Sequence, residues 1–152
     1  MDLTDADRKI LRELQAEGRL TNVELAARTN MSESPCLRRT RALEDAGIIK
    51  GYRAVVDPAR VGLPIYAYIL VNLDQRSETD TRRFFDAVAK EPRVIECAAI
   101  TGASDLILRV VARDIEDLAD LTMHGILRLP TVKDIASCIV LKTIKADAGV
   151  PV

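Results

Sequence analysis

A chain of 152 residues, 48% of them hydrophobic and 30% charged, can form one large or two small domains and can bury a real core, which excludes bulk disorder. Its formal net charge of −1 excludes a globally basic nucleic-acid binder, so any such contact must rest on a focused patch. The longest apolar run, residues 65–71, falls far short of the roughly 20 residues a membrane helix needs, and the first residues lack the basic-then-apolar form of a signal peptide.

The cysteines Cys36, Cys97 and Cys138 are odd in number and form no C-x-x-C pair. They point to reduced thiols in the cytoplasm rather than to a disulfide framework or a zinc site. The charge is spread evenly: residues 1–60 carry 11 Lys/Arg against 10 Asp/Glu, and residues 61–152 carry 11 against 13. The one place where cations cluster is Arg38, Arg39 and Arg41, with Lys50 and Arg53 following.

Residues 3–18 read as a helix capped by Thr4 or Asp5, with Ile10, Leu11 and Leu14 as an inward stripe and Gly18 as its stop. Thr21-Asn-Val-Glu24 has the form of a capping box that opens a short helix through Arg28, whose buried side is Val23, Leu25, Ala26 and Ala27. After a turn at residues 29–31, Ser32 caps a third helix with Pro35 in its first turn, where a missing N–H costs little. Leu37, Thr40, Leu43 and Cys36 face inward. Ser34, Pro35, Arg38, Arg39 and Arg41 are left outside, and Gly47 ends the helix in the left-handed conformation. Three short-linked helices, the last rich in arginine, define a helix-turn-helix. Residues 48–56 read as an extended, wing-like segment, and Asp57-Pro58 with Gly62-Leu-Pro64 mark a hinge.

The hydrophobic period then changes. Residues 65–73 read as a strand, 78–90 as a helix burying Phe84, Phe85, Val88 and Ala89, and 94–101 and 106–112 as strands of a hairpin joined by a glycine-led turn. Residues 115–129 read as one helix, with Ile115, Leu118, Leu121, Thr122, Ile126 and Leu129 on one side, and 132–145 as a long final strand. The order βαββαβ is the ferredoxin-like arrangement. With both helices on one sheet face, the other face, around Tyr68, Ala98 and Leu108 or Val110, is open to a second copy. The fold class is therefore α+β: a winged helix-turn-helix domain at 1–50, a strand and hinge at 51–64, a ferredoxin-like domain at 65–145 and a tail at 146–152.

An arginine-rich helix suits DNA because guanidinium can hold guanine O6 and N7 in two parallel bonds or clamp phosphate. Its N-terminal N–H groups add phosphate donors. The candidate DNA-binding residues are Ser32, Ser34, Pro35, Arg38, Arg39 and Arg41. Arg39 and Arg41 point in different directions, so one holds phosphate or a neighbouring helix while the other reads bases. The competing reading is a solvated basic face with ordinary pairs such as Arg41 with Asp45. A single module this close to neutral binds weakly, so two copies on half-sites about one helical turn apart are expected.

No nucleophile or acid–base constellation supports an enzyme. His124 is the only histidine, which leaves no His-based metal cluster and no expected cofactor. Asp114, Glu116, Asp117 and Asp120 read as a solvated helix start.

Both halves together resemble the Lrp/AsnC (feast/famine) family of prokaryotic transcription regulators over nearly the whole chain. The resemblance rests on Leu3-Thr-Asp-Ala-Asp-Arg-Lys-Ile-Leu11, Gly18-Arg-Leu-Thr-Asn-Val-Glu-Leu-Ala26, Ser32-Glu-Ser-Pro-Cys-Leu-Arg-Arg39, Leu43-Glu-Asp-Ala-Gly-Ile-Ile49, Gly51-Tyr52, Thr101-Gly-Ala-Ser-Asp-Leu106 and Leu127-Arg-Leu-Pro-Thr-Val132. It implies a first half that binds double-stranded DNA. It implies a second half that builds homodimers, which assemble further into octamers, and that binds a small effector, typically an amino acid. The family's turn is typically Gly-Asp-x-Asp, which maps the effector site onto Thr101, Gly102, Ala103, Ser104 and Asp105. Asp105 matches the second acid and Ala103 replaces the first. The alternatives are plain turn chemistry at these residues and an effector-independent architectural DNA-binding regulator. Cys138, Ile139 and Val140 are expected either as an apolar wall of that site or as sheet core.

Overall fold

In the computed structural model, which describes residues 2–74, 78–146 and 148–152, the chain forms two compact units. One runs through Val55 and takes in the segment from Ile144 onward; the other is Val56–Thr143.

The first unit contains α1 (Asp5–Ala16), α2 (Asn22–Thr29) and α3 (Glu33–Asp45). Two capping boxes start the first two helices. Thr4 and Asp7 exchange side-chain and backbone bonds at α1, and Thr21 and Glu24 do the same at α2. Each box satisfies backbone donors that the first helical turn leaves without partners. Asn30 closes α2 at φ 56°, and Gly47 follows α3 at φ 67°. The core is Ile10, Leu11, Leu25, Ala26, Cys36 and Leu43.

Three expectations change here. Val23 and Ala27 are exposed, and Thr29, whose hydroxyl donates to the Leu25 carbonyl at 2.7 Å, takes the buried place. Cys36 is fully buried, whereas Leu37 is 38% exposed. Residues 48–56 occupy the wing position, but they pair with no strand of the chain among the described residues. They are held to α3 instead: the Ile48 and Ile49 amides donate to the Leu43 carbonyl, and Tyr52 Oη donates to Glu44 Oε1 at 2.9 Å. Burial first, and then the neighbouring Glu44 carboxylate, push the Tyr52 phenol up to about 12.

The second unit contains β1 (Ile65–Leu73), α4 (Glu78–Lys90), β2 (Val94–Ala99), β3 (Leu106–Ala112), α5 (Ile115–Ala119) and β4 (Val132–Ile139). The sheet order is β2-β3-β1-β4, and every neighbouring pair is antiparallel, as the ferredoxin-like arrangement requires. Phe84 and Val88 of α4, with Leu118, Leu121 and Ile126, cover Ala67, Ile69, Val71, Leu106, Leu108 and Val110. Leu108 and Val110 are thus buried under the helices, and the open face carries Tyr66, Tyr68, Leu70, Ile107 and Arg109 in their place.

The helix expected at 115–129 is broken into α5, a wide π-helical turn (Asp120–Gly125) and a 3₁₀ turn (Ile126–Arg128). The Thr122 hydroxyl donates to the Leu118 and Ala119 carbonyls, competing with the regular ladder just before Gly125. Ile115 and Phe85 are exposed rather than inward, as is Ala89. The last strand ends at Ile139, opposite Ala67, because its partner β1 begins only two residues further on, at Ile65; Leu141 and Ile144 beyond it are exposed. Asp117 is buried rather than solvated. It accepts from Arg93 Nη1 at 2.9 Å and from the Arg113 amide at 2.9 Å, while Asp114 caps α5. Arg113 and then Arg93 hold the Asp117 carboxyl far below the usual carboxylate range.

Candidate functional site

Successive residues of a helix are turned by about 100°, so Ser34, Arg38, Arg41 and Asp45 share one narrow outer arc of α3. Together with Leu37 and Ala42 they line an open groove of about 430 Å³ along that helix. Neither Arg38 nor Arg41 makes a hydrogen bond or ion pair among the described residues. The Arg41–Asp45 pair of the competing reading is not formed. Two guanidinium groups therefore stand unspent on one exposed face. Pro35 lies at the margin of the arc. Ser32 occupies the cap position of α3 without a side-chain cap bond.

Arg39 does something else. It lies about 100° round the helix from Arg38, and its Nη1 donates to Asp7 Oδ1 at 3.0 Å and Thr4 Oγ1 at 3.2 Å. Asp7 is only 4% exposed. Burial pushes its carboxyl up, but the Thr4 hydroxyl and amide, and then Arg39, outweigh burial and hold it below its ordinary value. Arg39 thus ties α3 to the N-terminus of α1, the neighbouring-helix role that its divergence from Arg41 left open.

Replacing Arg39 by alanine leaves a buried carboxylate short of one charged partner, which costs about 1–2 kcal/mol. The expected result is a lower melting temperature of the helical unit, with any loss of DNA affinity tracking unfolding. The same pair sets an acid limit. A carboxyl depressed in the folded state stabilises fully above its unfolded value, about 3.9, and this contribution disappears as pH falls through the lower folded value. Thermal unfolding followed from pH 7 to pH 2 should show that loss, and Asp7→Asn should flatten it.

In the other unit, Leu73, Glu78, Thr81, Phe85, Ala99, Ile100, Asp105 and Leu106 line a cleft of about 510 Å³ at one end of the sheet. Asp105 is its anchor. Its Oδ2 accepts from the Leu73 amide at 2.8 Å, its own amide donates to the Val71 carbonyl, and its carbonyl accepts from Ile100. Its Oδ1 has no hydrogen bond among the described residues. Of the residues expected here, only Asp105 lines the cleft. Thr101, Gly102 and Ala103 are exposed and Ser104 half-buried, in the turn beside it, with Gly102 at φ 123°. Cys138 and Ile139 are exposed, so they are not sheet core, and neither they nor Val140 line this cleft. Phe85 and Ile100 are among its apolar lining. Phe85 is a helix residue 46% exposed, and its helical periodicity, which places it inward beside Phe84, gave no signal of this.

A helix-turn-helix unit with an unpaired arginine face, joined to a ferredoxin-like unit, defines a two-unit class of DNA-binding regulator. Comparison with known proteins agrees. The profile of the Lrp/AsnC ligand binding domain matches residues 66–150, and that of a winged helix-turn-helix DNA-binding domain matches residues 3–50. The leucine-responsive regulatory protein of Rhizobium meliloti (strain 1021) is 37% identical over 95% of this chain and 93% of its own length. The transcriptional regulator AzlB of Bacillus subtilis (strain 168) is 33% identical over 99% and 96%. A transcriptional regulator of Neisseria meningitidis, solved as its L-Met complex, superposes with a TM-score of 0.92 at 40% identity, covering 95% of this chain and 94% of that one. The chain belongs to the Lrp/AsnC family. It is a DNA-binding transcription regulator rather than an enzyme.

Proposed function

We propose that dimers of this chain read DNA through Ser34, Arg38 and Arg41, with Pro35 at the margin, and that an amino acid bound at the Asp105 cleft adjusts that reading. The observation that carries the proposal is the free carboxylate oxygen of Asp105 facing an otherwise largely apolar cleft. A carboxylate there pairs with an α-ammonium group, while Leu73, Phe85, Ile100 and Leu106 take an apolar side chain. Glu78, also on the cleft, adds negative charge where Ala103 supplies none. The L-Met bound to the Neisseria relative is a ligand of this kind. No described helix is long and apolar enough to cross a membrane; a cytoplasmic location fits a DNA-binding role.

The open sheet face supports dimerisation. Tyr66 and Tyr68 stack edge-on at 5.5 Å beside Arg109 and leave a surface that a second copy would cover. Dimers would assemble further, to octamers, bringing several α3 helices onto one duplex and raising the effective concentration of each. The alternative, an effector-independent architectural DNA-binding regulator, is favoured by Ala103 alone. Calorimetry with each standard amino acid separates the two. Heat on titrating at least one of them is expected; none with any would leave the architectural reading.

A further inference from the structure

The chain passes twice between its two units, once at Val55–Val56 and again at Thr143–Ile144. The second passage returns residues 148–152 to α1. There Gln15 takes both backbone groups of Val150: its Nε2 donates to the Val150 carbonyl at 3.0 Å, and the Val150 amide donates to its Oε1 at 2.7 Å. Arg12 Nη1 donates to the main-chain oxygen of Val152 at 3.4 Å. Val152 packs against the apolar core of the helical unit, in a groove of about 230 Å³ between α1 and residues 48–52. Gly149 stands at φ 84°, and a Cβ on it would collide with the Gln15 amide.

We infer that residues 148–152 form a strap that clips onto α1 through Gln15, giving the DNA-binding unit a second covalent connection to the last strand of the ligand-binding unit. A unit held at both ends has fewer orientations than one on a single hinge, so paired half-sites are met with less entropy to lose. The inference rests on the regulator reading for its consequence, but not for the docking itself.

Three measurements on the full chain test it. In amide exchange followed by mass spectrometry, residues 148–152 are expected to be protected by about tenfold or more over an unstructured peptide, and Gln15→Ala or Gly149→Val should each remove that protection. Exchange at the free-peptide rate in the unaltered protein would overturn the strap.

A cysteine pair decides whose tail fills the groove. A Cβ at Gly149 lies 3.4 Å from that of Gln15, close to the roughly 3.5–4.5 Å of a disulfide. Gln15→Cys with Gly149→Cys, in a chain carrying Cys97→Ser and Cys138→Ser, should therefore close within one chain. A disulfide-linked dimer on a non-reducing denaturing gel would instead assign the groove to a second copy and overturn the single-chain strap.

Finally, Gln15→Ala should weaken binding to a duplex with two half-sites by about fivefold or more. Unchanged affinity with a freed strap would overturn the coupling. Failure of the unaltered protein to bind any duplex would count against the regulator reading instead, with exchange and cross-linking still deciding the strap.

Discussion

Replacing Arg38 and Arg41 together by alanine should remove duplex binding from a protein that remains fully folded. Both side chains sit on the exposed arc of α3, and neither has a partner within the described chain, so their loss leaves no buried group unsatisfied. Each arginine bonded bidentately to a guanine contributes about 1–3 kcal/mol of discrimination. A dimer would use each arginine twice, so the double substitution should lower affinity by at least about a hundredfold. The single substitutions separate their roles. An arginine on phosphate weakens all sequences alike and lowers the salt slope by about 1; an arginine on a base relaxes preference at one position. A duplex selected from a random library, titrated at fixed salt and again across salt, provides both readouts. Unchanged affinity in the double variant would remove this face of α3 from the interface.

The second large effect is expected at Asp105, where two substitutions divide structure from ligand. Asp105→Asn keeps an oxygen for the Leu73 amide and loses only charge. A hydrogen bond to a charged group contributes about 1.5–3 kcal/mol, so amino-acid affinity should fall by about tenfold to a hundredfold with the melting temperature unchanged. Asp105→Ala also strands the Leu73 donor at the point where β1 leaves the sheet. It should lower stability as well as affinity. Equal ligand affinity in the Asn variant and the unaltered protein, measured by calorimetry, would show that the carboxylate serves only the turn.

Most of the fold was legible in the sequence because its signals are local. Thr21 and Glu24 stand three residues apart and form the capping box their spacing announced, and Gly47 adopts the left-handed conformation that ends α3. The change from helical to alternating period at residue 65 falls where β1 begins. What was not legible depends on partners distant in sequence. Arg39 and Arg41 have the same local context, and only the packing of α1, which brings Asp7 within 3.0 Å, separates a lock from a free group.

The cleft was half legible for the same reason. Asp105 lies in a motif, whereas Phe85 and Leu73 come to it from another helix and another strand. Helical periodicity placed Phe85 in the core with Phe84, because adjacent apolar residues on a helix leave undecided which one faces inward. The pairing of Gln15 with Val150 spans 135 positions and has no sequence signature at all.

The proposed function requires that the Asp105 cleft and the α3 face be thermodynamically linked, so that a ligand at one changes affinity at the other. The most direct test measures duplex affinity at fixed salt, with and without each standard amino acid, for the unaltered protein and for Asp105→Asn. At least one amino acid is expected to shift the affinity of the unaltered protein severalfold, whereas Asp105→Asn should bind the same duplex equally well without ligand yet show no shift. Identical affinities under every condition would contradict it.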